Sequence, residues 1–213
     1  MRLGHLNFGS IKFLANKRWV AGLPSTQVLD KVCKTCIIGK KHRDPFLTRQ
    51  VWRAKRPLEL VHSDLCYVEV PSNGGNKYFI TFIDDFSKKA WVYFLKKKSD
   101  ACEVLKNYMA YVERQSSHSI KILRTNRGIE YIVCDDYLKK YGIKHQLTAR
   151  YTQQNGVAER KNRTIMDMVR SMLYCKKLPK SFWAEVVACA IYILNRCPIK
   201  SVRDKTPEEA WSG

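Results

Sequence analysis

The sequence has no long apolar run. Its longest, Val186 to Leu194, falls far short of the roughly 20 residues that a membrane-spanning helix needs, and no apolar signal segment opens the chain. These two absences predict a soluble, intracellular protein without a membrane span. Acidic residues are scarce as well: 19 Asp and Glu stand against 39 Lys and Arg, for a formal net charge of +20. Such an excess repels itself unless a polyanion is close. Nucleic acid is the commonest one, with an anionic membrane surface as the competitor. Internal repeats and low-complexity tracts are also missing, so the 213 residues read as one packed domain of about 150 residues with a small appendage.

What is present starts with the stretch from Leu58 to Leu95. Leu58-Glu59-Leu60-Val61-His62-Ser63-Asp64 alternates apolar and polar residues, the period of a half-buried strand, with Asp64 where the strand runs out. Lys77 to Ile83 and Trp91 to Leu95 are dense in β-branched and aromatic residues and are joined through Asp84-Asp85-Phe86-Ser87. The three predict an antiparallel meander. Beyond it, Ser99 is a candidate N-cap for a helix carrying Ala101, Val104, Leu105, Tyr108, Met109 and Val112. Ser119 to Leu123 reads as a fourth strand, Asp135 to Tyr141 as a short helix stopped by Gly142, and Ile143 to Thr148 as a fifth strand. A long helix follows the block Gln153 to Arg163, with Val157, Ile165, Met168, Val169 and Met172 toward the core. Glu159, Arg163 and Arg170 share its other face. That grouping suits either a helix salt bridge or a functional acid among cations. A last helix, from about Phe182 to Asn195, is apolar nearly all round and ends at Pro198.

The eight cysteines are scattered, and only Cys33-Lys34-Thr35-Cys36 has ligand spacing. With His5 the pair offers three of the four ligands of a tetrahedral zinc, or it is two ordinary thiols near a turn. His42 is a weaker candidate for the fourth. From Lys40 to Arg56, seven cations interleave with Phe46 and Trp52. This segment reads either as a linker lying along phosphates or as one that is merely solvated.

Several motifs in order carry a resemblance. His62-Ser63-Asp64, the run Tyr78 to Ser87, the Gln153 to Thr164 block and the Leu178-Pro179 to Trp183 turn resemble the integrase core of copia-type LTR retrotransposon Pol polyproteins. Arg2-Leu3-Gly4-His5-Leu6-Asn7 and Cys33-x2-Cys36-x2-Gly39-Lys40 resemble the pre-integrase zinc segment before that core, and Thr206 to Trp211 the segment after it. The resemblance implies an RNase H-like α/β fold, a mixed five-stranded sheet flanked by helices, behind a small zinc-knuckle-like segment. The implied division is a partial zinc-binding pre-integrase segment over 1–40, a basic linker over 41–57, the catalytic core over 58–175 and a helical extension over 176–213.

It also implies a reaction. Family members hold two Mg²⁺ (or Mn²⁺) ions on two aspartates and a glutamate, nick a DNA 3′ end and join it to target DNA; carboxylates are the hard ligands that such two-metal phosphoryl transfer requires. Here the first aspartate is Asp64 and the glutamate is Glu159, both expected Mg²⁺ ligands, while the second aspartate falls at Asn126. A charge about 4 Å from a divalent ion is worth at least several kcal/mol at an effective dielectric near 20. Its loss predicts weak metal binding and a rate lower by on the order of 10³ or more. The interval from Asn126 to Glu159 is also shorter than usual, and the proline expected between Thr152 and Gln153 is absent. Glu130 has its own place in the family's pattern, Asp84 and Asp85 read as turn caps, and Asp135 and Asp136 as a helix start.

The expected zinc ligands are His5, Cys33 and Cys36, an incomplete set. DNA is the expected partner, through Lys55, Arg56, Arg160, Lys161, Arg163 and Arg170. A homo-oligomeric working form, the remainder of a Pol polyprotein and action in the nucleus are implied too. The alternative is a catalytically inactive remnant that still binds nucleic acid.

Overall fold

A computed structural model describes residues 8–17, 19–20, 22, 52–148, 156–202 and 204–213. His5, His42, Cys33, Cys36 and Gln153 to Asn155 lie outside the described residues, as does most of the basic linker. In chain order the elements are α1 (Phe8–Asn16), β1 (Val61–Tyr67), β2 (Tyr78–Asp84), β3 (Ala90–Leu95) and α2 (Ala101–Ser116). Then come β4 (Ile122–Thr125), α3 (Ile129–Ile132), α4 (Asp135–Lys140), β5 (Lys144–Leu147), α5 (Gly156–Lys176), α6 (Trp183–Arg196) and α7 (Pro207–Ser212).

The strands form one mixed sheet in the order β3-β2-β1-β4-β5. β1, β2 and β3 pair antiparallel, while β1–β4 and β4–β5 pair parallel. The expected meander is therefore present and grows outward from β1 on both sides. Strand alternation sorts the side chains onto two helical layers. Ile80 and Phe82 of β2 pack with Leu105, Tyr108 and Val112 of α2, where Phe82 and Tyr108 stack with centroids 4.1 Å apart. Phe79 and Ile83 turn the other way, onto Ile165 and Val169 of α5 and Trp183 and Val187 of α6. Those two helices are thus packed into the same body as the sheet.

Some sequence boundaries move. β1 runs on past Asp64 to Tyr67, pairing Leu65, Cys66 and Tyr67 with Ile80, Phe79 and Tyr78, so Asp64 sits mid-strand and not at its end. The strand begins only at Val61, and the reason for that lies at Leu58. It is fully buried in a left-handed conformation (φ 60°), its N–H donating to Asp84 Oδ1 at 2.9 Å and its carbonyl accepting from Lys121. A left-handed leucine is costly and persists only where its surroundings fix it. Ser99 does not cap α2. It lies in a 3-10 turn, Lys98–Asp100, closed by the Lys97 N–H donating to Asp100 Oδ2. The fourth strand starts at Ile122, and α3, unforeseen from periodicity, follows it. Gly142 ends α4 at φ 67°, which a glycine adopts without cost.

α6 is not buried all round. Glu185, Cys189 and Tyr192 face outward while Trp183, Val187 and Leu194 face the core, so it is amphipathic. It ends at Arg196, with Cys197 already extended ahead of Pro198. Its Asn195 accepts from the Ala90 N–H at 2.9 Å and donates to the Ala90 carbonyl at 2.8 Å, tying the helix to the start of β3. α7 opens on a capping box between Thr206 and Glu209 with Pro207 in first position. It closes the α2 side of the core: Lys89 pairs with Glu208 at 2.6 Å and lies over the rings of both Trp91 and Trp211.

Candidate active site

Asp64 is placed by parity. On β1, His62, Asp64 and Cys66 alternate with Val61, Ser63 and Leu65, and Asp64 therefore faces α5, opposite Thr81 in the β2 register. Three side chains meet there. Asn162 of α5 donates from Nδ2 to Asp64 Oδ2 at 3.1 Å and accepts from Thr81 Oγ1 at 2.8 Å. From the end of β4, Asn126 donates from Nδ2 to Asp64 Oδ1 at 3.1 Å. Asn126 Oδ1 is in turn taken by the Gly128 N–H at 2.9 Å.

Burial pushes the Asp64 carboxyl up to about 6, against the Asn162 hydrogen bond; the charges of Glu159 and Glu130 act in the same direction as burial. Asp64 and Glu159 are therefore within electrostatic reach of each other. Glu159 is exposed in the first turn of α5 and makes no ion pair among the described residues, so the salt-bridge alternative does not apply to it. The Glu130 carboxylate folds over Gly128, where an added Cβ would stand 2.2 Å from its Oε1.

As a place for a divalent ion, this donor set is incomplete. Both Asp64 oxygens receive amide N–H groups, the Asn126 oxygen is committed to Gly128, and among the described residues no three His, Cys, Asp or Glu side chains converge tightly enough to hold a metal.

The other acids serve the frame. Asp84, fully buried, accepts from the N–H of Leu58 and Ser87 and from Ser87 Oγ, at 2.9, 2.7 and 2.6 Å. Burial raises its carboxyl even so. For Asp85, burial is outweighed by His62, Lys88 and the Ala54 N–H, which leave the carboxyl below the usual range. His62 is buried, lowered by desolvation, and finds no partner for Nδ1 among the described residues. Its place in the motif with Asp64 is structural. Asp135 and Asp136 stand in the first turn of α4, as expected.

Of the cations expected on DNA, Lys55, Arg56, Arg160, Arg163 and Arg170 are exposed, and Arg170 pairs with Asp167. Lys161 differs. It is half-buried on another side of α5, and desolvation together with the nearby Lys88 ammonium lowers it to about 8. Sequence reasoning missed Asn162, Thr81 and Tyr131, whose hydroxyl meets Ser63 Oγ at 2.8 Å. One signal was available for Asn162. It falls in line with Ala158, Ile165 and Val169, an amide on the buried stripe of a helix.

Residues 54–153 match the integrase core domain and residues 1–41 the GAG-pre-integrase domain. Residues 54–153 belong to the integrase core family. Across its length the chain is similar to the retrovirus-related Pol polyprotein from transposon TNT 1-94 of Nicotiana tabacum, at 44% identity over 99% of this chain. The polyprotein from transposon RE2 of Arabidopsis thaliana is 31% identical over 100% of it. The chain spans only 16% and 14% of those two relatives.

Among solved structures, the HTLV-2 integrase catalytic core domain in complex with magnesium superposes with a TM-score of 0.56 at 19% identity, over 75% of this chain and 99% of that one. A chain of the simian T-cell lymphotropic virus intasome in complex with PP2A regulatory subunit B56 gamma gives 0.63 at 15%, over 96% and 74%. The integrase core thus has the expected RNase H-like fold.

Proposed function

We propose that this integrase core is the DNA-joining domain of a copia-type Pol polyprotein, a polynucleotidyl transferase that nicks 3′ ends and transfers them into DNA, with its metal site weakened at Asn126. The observation that carries the reading is the contact of position 126 with Asp64, with the Glu159 charge felt at the same carboxyl. A divalent ion, when bound, would supply the Lewis acid that activates the attacking oxygen and steadies the leaving one. The chain's own residues then have definite tasks. Asp64 offers the central carboxylate, Asn162 and Thr81 orient it, and Glu159 adds a second negative charge from the neighbouring helix. Arg160, Arg163 and Arg170 on α5, with Lys55 and Arg56, suit the phosphate backbone. A homo-oligomeric form acting on nuclear DNA, and zinc on His5, Cys33 and Cys36, complete the proposal.

The second reading, a binding module without chemistry, is favoured by one feature. Both Asp64 oxygens are already occupied by amides, an arrangement that is stable without an ion. The deciding experiment is Mg²⁺- and Mn²⁺-dependent cleavage and joining of short duplex DNA by the native chain, Asn126→Asp, and Asn126→Asp with Glu159→Gln. The expected result is a nearly silent native chain, activity restored by Asn126→Asp, and its loss on adding Glu159→Gln. If all three are silent while binding DNA in a salt-sensitive way, the binding-module reading holds.

A further inference from the structure

The loop that carries Asn126 is held from behind by a line of side chains with no part in the reaction proposed above. Thr125, the last residue of β4, is fully buried. Its Oγ1 donates to the Asn126 carbonyl at 2.7 Å and stands 2.8 Å from His145 Nε2. His145 is on β5, and its Nδ1 meets Asp135 Oδ1 in the first turn of α4. A hydroxyl carries one proton. With that proton given to the Asn126 carbonyl, His145 Nε2 is the donor in the second contact and Asp135 accepts from Nδ1, the pattern of a ring that carries both protons and pairs with Asp135 as an ion. The line therefore runs in one direction, from Asp135 through the ring and the hydroxyl to the backbone of residue 126.

An acid, a histidine and a hydroxyl in a row also describe an activated nucleophile. Here the hydroxyl is sealed in the core and its proton is committed to the neighbouring peptide, so no substrate reaches it. What the line reaches is the loop. β4 and β5 pair over only four residues at the sheet's edge, with the Thr148 N–H on the Thr125 carbonyl and Arg127 Nε on the Thr148 carbonyl as the further ties. Yet the side chain at 126 must hold Asp64 at 3.1 Å and Gly128 N at 2.9 Å together. Rotation of the 126 peptide would break both.

We propose that His145, oriented by Asp135, is a positioning residue that fixes the backbone of residue 126 through Thr125 and so aims the 126 side chain at Asp64. Its importance for catalysis rests on reading position 126 as the family's second aspartate; the geometry itself does not.

The test is NMR on the full, ¹⁵N-labelled chain and its variants Thr125→Val, Thr125→Ser and His145→Phe. Thr125→Val and His145→Phe should speed exchange of the Gly128 amide by about tenfold and shift the Asn126 carboxamide signals. Thr125→Ser, which keeps the hydroxyl, should stay with the parent. A folded Thr125→Val with parent-like Gly128 exchange and carboxamide signals overturns the proposal, as does Thr125→Ser behaving like Thr125→Val. Should Thr125→Val not fold, His145→Phe decides by the same criteria. Mg²⁺ titration of Asn126→Asp, followed by melting temperature, is read separately. No response there counts against the metal reading and leaves the positioning role standing on the exchange data.

Discussion

Two acidic sites, one buried and one half-buried, lie on the same strand pair, and they are held differently. At the β2 turn, Asp84 takes two backbone N–H groups and a hydroxyl supplied by the fold itself, in register with Val61. Three residues along β1, Asp64 is held, among the described residues, chiefly by the amides of two side chains that arrive from β4 and α5. The first site is welded to the backbone and stabilises the sheet. The second depends on tertiary placement; burial raises its carboxyl as it does that of Asp84, but Asp64 also feels the charges of Glu159 and Glu130, the kind of grouping a functional site keeps.

The sharpest break in that comparison would come from Asp84→Ala. It strands two buried N–H donors and frees the left-handed Leu58, and should lower stability by about 4 kcal/mol, read by urea unfolding; a loss below about 1 kcal/mol would mean the two sites do not differ as described.

Next in size is Asn126→Asp, which sets a like charge beside Asp64. Without metal at pH 8 it should lose on the order of 3 kcal/mol. Millimolar Mg²⁺ should recover most of the loss while leaving the parent's melting temperature unmoved.

A third effect follows from Asp64 itself. Its folded carboxyl is raised to about 6 from 3.8, so the folded state binds the proton more tightly than the unfolded one. That contribution is fully present below about pH 4 and is lost as pH rises through about 6, a fall on the order of 2 kcal/mol that Asp64→Asn should abolish. The smallest change is Asn162→Ala, costing about 1.5 kcal/mol. It should move the Asp64 midpoint upward, because the lost N–H favours the ionised form, and a carbon-13 titration of Asp64 would show it.

Much of this was legible in the residues. Alternation around Val61 to Leu95 located the meander, because strand period and β-branched content act locally. The resemblance named all three candidate ligand positions, Asp64, Asn126 and Glu159. What escaped had non-local causes. β1 starts only at Val61 because Asp84, far along the chain, holds Leu58 out of the strand, and Asp64 sits mid-strand because pairing with β2 carries β1 on to Tyr67. Asn162 touches Asp64 only because α5 lies across β1 and β2, and no spacing on one helix shows which strand it will cover. Lys161, next to the outward Arg160, turns partly inward because helical geometry rotates it about 100° from that residue, toward the buried Asn162. α3 is too short for periodicity to register.

The Lys89 clasp has a consequence for synthesis. Its anion, Glu208, comes 119 residues after it. While the chain is being made, the three antiparallel strands emerge from the ribosome long before Trp211 can cover Trp91. In that interval the outer rim of the α2-side core is an uncovered aromatic surface beside the edge strand β3, the kind of surface on which nascent chains aggregate or recruit chaperones. A ribosome stalled short of Glu208 would present a nearly complete sheet lacking its closing piece, distinguishable from the finished domain by the accessibility of a single indole ring.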